Sequence, residues 1–362
     1  MHSLDRSPDI CIAGAGIIGL SLALELNSRG LRVTVLDRSE PMTEASVAAA
    51  GMLAAQDPNN SPLLQSLSDL SLSLYPPFLD QLAFLSRIRV SFHTHTTLQA
   101  LEATQTSSAN ILTPQDLAHL LPSLLPGAHR FFLLDESSLD PRQLAAALLA
   151  AVRATTIDLR ANTTVVSTES SKESITVHTS SGILHGAQFV DCTGAWAASA
   201  GVTPKKGQML AVSLPRTLPL NFVIRTPDVY IVPRTDDPRF PRAVIGATVE
   251  DAEFDKTVHA ADIAHLRLLA AELLPCLAQS PELETWAGLR PATSDRLPLL
   301  GALPGRVHHY LATGHYRNGI LLAPATARVM AQHLMGETTS IDLNPYSPSR
   351  LISEPPHPQM TR

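Results

Sequence analysis

Apolar residues fall in a short unbroken run at Ile10–Ala13, then at amphipathic helical spacing to about Ser28, then in a second β-rich run at Arg32–Leu36. This order predicts one β-α-β unit over residues 9–37, with Gly30 as the helix stop. Residues 60–137 show no sustained period and read as irregular, with several short helices. Asp140-Pro141 opens a clear helix, Asp as N-cap and Pro at the first helical position, ahead of LAAALLAAV. Residues 157–192 read as three or four short strands with Gly182 in one turn, ending in a buried strand at Phe189–Asp191. The segments DVYIVPR and RAVIGATVE, separated by TDDPRFP, predict a β-hairpin with a long loop, and residues 261–279 a helix. The last eighteen residues, rich in Pro and Ser, are expected along the surface or disordered. The chain shows no internal repeat.

With 362 residues the chain can bury one large or two medium cores, and its 44% hydrophobic and 17% charged residues fit a globular protein. The net charge of −6 and the scattered Lys and Arg residues argue against a nucleic-acid or polybasic membrane surface. No uncharged apolar stretch reaches the roughly 18 residues that a spanning helix needs. Asp5 and Asp9 stand where a secretory leader would be cationic. Cys11, Cys192 and Cys276 are odd in number and far apart, which fits reduced thiols in the cytoplasm better than a disulfide frame or a zinc site. His93 and His95, on the strand-like RVSFHTHTTL, lack a carboxylate partner and read as a plain surface strand, so no metal site is expected.

The first chemistry lies in the turn of the β-α-β unit. Gly14-Ala15-Gly16-Ile17-Ile18-Gly19 places a glycine at the tight turn, one where backbone must approach a pyrophosphate, and one where helix packs on strand. The following helix N-terminus offers N–H groups and partial positive charge to an anion. Asp37 ends the second strand eighteen residues after Gly19, where its carboxylate can accept both ribose hydroxyls and would repel a 2′-phosphate. A dinucleotide site follows; the unit alone leaves FAD and NAD open.

Four further blocks resolve that choice by resemblance. They are Ala45-Ser46 through Ala48-Ala49-Ala50-Gly51-Met52-Leu53; the stretch Phe189 to Trp196, which includes Gly194; Tyr230–Arg234 with Gly246–Asp251; and Trp286–Thr293 with Gly314–Thr326. With the glycine turn they make the chain similar to the D-amino-acid oxidase family of FAD enzymes, and within it to the thiamine-pathway glycine oxidases, over most of its length. One departure is Asp191-Cys192-Thr193, a charge and a thiol where that family has small apolar residues.

The resemblance implies an α/β fold in which an FAD-binding Rossmann-like domain is interleaved with an antiparallel-sheet α+β substrate domain. Residues 1–60, 138–205 and 285–345 would form the first domain, 61–137 and 206–284 the second, and 346–362 a tail. It implies that Ile17, Ile18, Asp37 and Arg38 hold the adenosine and pyrophosphate. Val165 would meet the adenine end through its backbone, and Ala45, Ser46, Ala50, Gly51, Met52 and Gly194 would line the cofactor. His315, Tyr316, Asn318, Gly319, Ile320 and Leu321 would wrap the isoalloxazine. Arg290 would grip the substrate carboxylate, with Arg317 as a second cationic contact and Tyr230 nearby.

Read from the residues alone, Arg290 in WAGLRPAT suits a bidentate carboxylate fork or a structural ion pair. Tyr230, alternating with Val232, reads as a core tyrosine. The helix after Gly319 can either stabilise negative charge on a reduced ring or simply pack in the core.

The implied activity is oxidative deamination of glycine or another small amine or amino acid to the imine and 2-oxo acid (glyoxylate). Oxygen would accept the electrons and yield peroxide, and the product would feed thiamine thiazole synthesis. A related sarcosine or D-amino-acid oxidase, a quinone-linked D-amino-acid dehydrogenase, and a flavin-binding subunit without its own substrate stay open here, as does a homo-oligomer. No nucleic acid or membrane partner is expected.

Trp286–Thr293 contains no cysteine to which a flavin could be attached. Acid or heat should therefore release intact FAD into the supernatant; flavin absorbance that stays with the denatured polypeptide would contradict a non-covalent site.

Overall fold

The computed structural model describes residues 7–101, 110–197, 200–235, 237 and 239–351. Its first layer grows from the β-α-β unit. Strands Ile10–Ala13 and Val33–Leu36 are buried at every position, which is why both are unbroken apolar runs rather than alternating ones. They pair in parallel and form the centre of a six-stranded sheet. Asp158–Arg160 extends it beyond Val33–Leu36; Gln188–Asp191, His309–Thr313 and an antiparallel Leu299–Ala302 extend it on the other side. The helices Ile17–Ser28, Pro141–Arg153 and Gly319–Leu334 bury one continuous core with it. The Asp140 side chain caps Pro141–Arg153 by accepting the Arg142 amide, as the Asp-Pro signal predicts.

The second layer is a seven-stranded sheet in the order Glu282–Ala292, Thr203–Ser213, Arg242–Gly246, Tyr230–Arg234, Val223–Arg225, Thr97–Leu101 and Arg130–Leu134. All neighbours are antiparallel except Val223–Arg225 with Thr97–Leu101. The expected hairpin is its centre: Tyr230 pairs with Gly246 and Arg234 with Arg242. Helix Ala260–Leu273 covers one face through a second, separate core and is followed by a short 3-10 turn, Pro275–Ala278. The α/β class with a parallel nucleotide sheet and an antiparallel partner sheet is thus what the chain forms.

Three sequence expectations need correction. Residues 60–137 are not a run of short helices, because Gln65–Ser86 is one helix of 22 residues that passes through Pro76 and Pro77. Its period is masked by serines that face inward: Ser68 and Ser71 are buried. The helix packs on Gly319–Leu334, so we assign it to the nucleotide-binding half, and the strand Glu282–Ala292 to the seven-stranded sheet. Residues 157–192 supply five strands, three of which, Val165–Ser170, Ile175–Thr179 and Gly182–Gly186, form their own antiparallel sheet. The tail as far as Leu351 is docked rather than loose. Tyr346 is buried and donates its hydroxyl to the Leu63 carbonyl, and Arg350 pairs with Asp295 at 2.6 Å. The remainder of the expected tail, 352–362, lies outside the described residues.

The contact between Gln65–Ser86 and Gly319–Leu334 has a specific cause. Pro324 lies inside the latter helix and has no N–H for the carbonyl of Ile320, four residues earlier. The Tyr75 hydroxyl donates to that carbonyl at 2.5 Å. Ser71 Oγ donates to the Leu321 carbonyl at 2.6 Å and accepts the Ala325 amide at 3.3 Å, bridging the loosened turn. Tyr75→Phe leaves a buried carbonyl without a donor and should lower stability by about 1–3 kcal/mol. Urea unfolding of parent and variant measures this; an unchanged midpoint would mean that the bond carries no weight.

Candidate active site

The two sheets enclose an elongated cavity of about 540 Å³. At one end the first strand turns at Gly14, whose φ is +100° and whose position leaves no space for a side chain, since a Cβ would lie 2.4 Å from the Cys192 carbonyl oxygen. Gly19 faces back on the same turn: a Cβ there would meet the Gly14 carbonyl oxygen at 1.9 Å. Gly19 therefore sets the approach of helix to strand and does not line the cavity, whereas Gly14, Gly16, Ile17 and Ile18 do. The N-terminal turn of Ile17–Ser28 thus places its partial positive charge at the cavity wall.

Asp37, Arg38 and Val165 line the same end. Asp37 is more occupied than its expected ribose role requires. Oδ2 accepts the Ala15 amide at 2.7 Å and Oδ1 the Ser39 amide at 2.9 Å, so the carboxylate also ties the glycine turn to the second strand. Arg38 lies flat over Trp196, 3.6 Å from the ring centroid, and pairs with Glu44 at 3.3 Å. Ser46 Oγ accepts the Ile17 amide at 2.9 Å and so caps the first helix from the neighbouring segment. Asp191, the departure noted in sequence, accepts the Thr193 amide at 2.8 Å and closes the turn there, while burial raises its carboxyl.

The middle of the cavity is lined by Ala45, Ser46, Ala50, Gly51, Met52 and Gly194, facing His315, Tyr316, Asn318, Gly319 and Ile320. Leu321, expected in this group, turns into the core and is 1% exposed. His315 is buried, bonded through Nε2 to Thr326 Oγ1 at 3.0 Å, and its imidazole is pushed down to about 3 by desolvation. Desolvation thus favours the neutral ring, and its bond to Thr326 holds the loop. Asn318 and Gly319 begin the helix Gly319–Leu334, so a second helix N-terminus opens on the cavity. A glycine cradle and two helix N-termini around one elongated cavity fit FAD, whose pyrophosphate the first would hold and whose reduced ring the second would stabilise.

The far end carries Arg290, Arg317 and Tyr230. The register of Thr203–Ser213 against Glu282–Ala292 pairs Arg290 with Lys205, and its side chain reaches over Gly207, two residues on, where a Cβ would lie 2.2 Å from Nη2. Arg290 Nη1 donates to the carbonyls of Lys206 (3.2 Å) and Thr248 (3.0 Å). Among the described residues no carboxylate pairs with Arg290, so the structural ion pair is not formed there. Behind it, Thr248 Oγ1 accepts the Gln208 amide at 2.8 Å and donates to Glu250, while buried Lys206 lies 3.4 Å from Glu250. Burial raises the Tyr230 phenol, against the pull of Arg290, Arg317 and Arg234; its hydroxyl donates to Met209 Sδ at 2.8 Å.

Sequence reasoning missed a buried polar group at this end. Arg225, with 5% of its side chain exposed, lies 2.9 Å from Glu136 and 3.9 Å from Asp57, and its Nε donates to Gln99. Asp57 in turn pairs with Arg317 at 3.3 Å, so the expected second cationic contact has a carboxylate partner of its own. Burial pushes the Glu136 carboxyl up, with Arg225 opposing. The signal was legible: Arg225 stands in NFVIRTPD, an arginine within an apolar run, just as Arg290 stands in WAGLRPAT.

Asp37→Ala should weaken FAD binding at least about tenfold, since hydrogen bonds to a charged group are worth about 1.5–3 kcal/mol each. It should also lower the melting temperature of the apoprotein, because the Ala15 and Ser39 amides lose their acceptor. Fluorescence titration with FAD and a thermal melt measure the two effects; unchanged affinity removes Asp37 from the site.

Among the described residues no helix is long and apolar enough to cross a membrane. The family model described as FAD dependent oxidoreductase matches residues 9–333. The chain is 31% identical to a glycine oxidase of Geobacillus kaustophilus, over 96% of this chain and 98% of the relative. It is 35% identical to the bifunctional protein ThiO/ThiG of Trichormus variabilis over 94% of this chain, and it spans 55% of that relative's length. Its fold superimposes on the crystal structure of the Geobacillus kaustophilus glycine oxidase with a TM-score of 0.88 and 30% identity, covering 95% of this chain and 99% of the other.

Proposed function

From its membership of the FAD dependent oxidoreductase family, to which the chain belongs, we propose that it oxidises glycine or a similarly small amino acid to the imine. The imine hydrolyses to the 2-oxo acid, and oxygen takes the electrons to give hydrogen peroxide. The observation that carries this reading is Arg290, a cation without a carboxylate partner among the described residues, in the wall of a cavity that fits FAD. The glycine oxidases and the ThiO/ThiG proteins among its relatives support glycine as substrate and the synthesis of the thiamine thiazole as destination. Three dispersed cysteines, none of them in a disulfide, support a cytoplasmic setting.

Bound FAD supplies the hydride acceptor. The chain supplies the placement. With Nη1 fixed by two backbone carbonyls, the remaining edge of the Arg290 guanidinium can hold a carboxylate in a fork, and this fixes the distance of the substrate's α-carbon from the acceptor. Tyr230, its phenol kept protonated by burial, borders the same carboxylate position. Two candidate bases are already committed: His315 is bonded to Thr326, and Asp57 is paired with Arg317. Hydride transfer from a neutral amine needs none. The N-terminus of Gly319–Leu334 favours negative charge at the wall it faces.

Arg290→Ala should lower kcat/KM for glycine by about two to four decades, since removing one partner of a buried charge pair costs about 3–5 kcal/mol. Arg290→Lys should recover only part, because a point charge cannot reproduce the fork. Anaerobic stopped-flow reduction by glycine, with peroxide release in air, tests both. Reduction of the alanine variant at the parent rate would place the carboxylate clamp elsewhere.

A further inference from the structure

The cavity end around Arg290 holds three arginines, yet their surroundings differ. Arg290 pairs with no carboxylate among the described residues and donates to two backbone carbonyls. Arg317 pairs with Asp57 at 3.3 Å, and Arg225 lies between Glu136 at 2.9 Å and Asp57 at 3.9 Å. Asp57 is held for this double duty: its Oδ1 accepts the Asn59 amide at 2.9 Å, leaving Oδ2 toward both arginines, and 9% of its side chain is exposed. A second carboxylate, exposed Asp228, also lines this end.

We propose that Asp57 sets the charge selectivity of the substrate cavity: by neutralising Arg317 and facing Arg225 it leaves Arg290 as the one cation open to a ligand, so the cavity takes amines with a single carboxylate and rejects those with a second anionic group. The physical basis is placement in a region of poor screening. A second carboxylate brought near Asp57 meets a like charge that counter-ions reach poorly, while Arg317 is paired with Asp57 and Arg225 lies between Asp57 and Glu136. Glycine, with one carboxylate and no side chain, meets only Arg290. This rests on the reading that Arg290 holds the substrate carboxylate, and it adds a residue that acts on discrimination.

Equilibrium binding of acetate and malonate to the FAD-loaded protein, followed by calorimetry and by perturbation of the flavin spectrum, tests the proposal without turnover. The parent should bind acetate at least as tightly as malonate. Asp57→Asn, which keeps shape and removes charge, should shift the malonate-to-acetate affinity ratio toward malonate by about tenfold or more, and Asp57→Ser should shift it in the same direction. A parent that prefers malonate would show that Arg225, whose Nη1 has no hydrogen-bond partner among the described residues, is open to ligand, and would overturn the proposal. So would an unchanged ratio in whichever variant folds. Failure of glycine to reduce the flavin, with the ratio shifted as expected, would sink the proposed substrate and leave the charge selection standing.

Discussion

The architecture depends on one close crossing of backbones, where the turn after the first strand meets the end of the strand Gln188–Asp191. At Gly14 the two chains approach so nearly that a single added carbon would lie 2.4 Å from a carbonyl oxygen. A side chain at Gly14 would push the strands apart, and the parallel sheet, the first helix and the cavity wall would move together. The Ala15 amide is tied to Asp37 and the Ile17 amide to Ser46, so the next strand and the following segment are both anchored on the same turn. A cofactor cradle built from main chain cannot adjust by changing rotamers; its accuracy comes from this absence of space.

At the opposite end the constraint is of another kind. Arg290 lies across a glycine and against two carbonyls, so its direction is set by the register of two long strands. The polar layer beneath, Lys206 with Glu250 and Gln208 with Thr248, fixes the carbonyls that receive it. One end of the cavity is thus held by steric exclusion and the other by hydrogen bonding, which suits the two ligand groups proposed for them, a diphosphate at the first and a carboxylate at the second.

Much of this could be read along the chain because it is local. The glycine turn, the Asp140-Pro141 cap and the Tyr230 hairpin carry their signals within a few residues, and the structure has them where the pattern put them. What escaped was non-local. The helix Gln65–Ser86 looked irregular because its inward serines and its proline pair make sense only against Gly319–Leu334. Asp57 gave no sign of its importance because its partners, Arg225 and Arg317, lie far away in sequence. Leu321 was counted with the cavity wall because it continues a run of residues that do face it, and the helical turn carries it to the other side.

The pairing of Pro324 with Tyr75 also constrains how such chains can diverge. The proline leaves the Ile320 carbonyl without its helical donor, and the tyrosine from another helix fills that role. In a descendant that replaces Pro324 with a residue bearing an amide hydrogen, the carbonyl regains a local donor and the hydroxyl at 75 loses its partner, so phenylalanine becomes acceptable there. Loss of the hydroxyl first, with the proline still present, exposes the carbonyl's deficit at once. The two sites are therefore an ordered pair, and substitutions should accumulate through 324 before they reach 75.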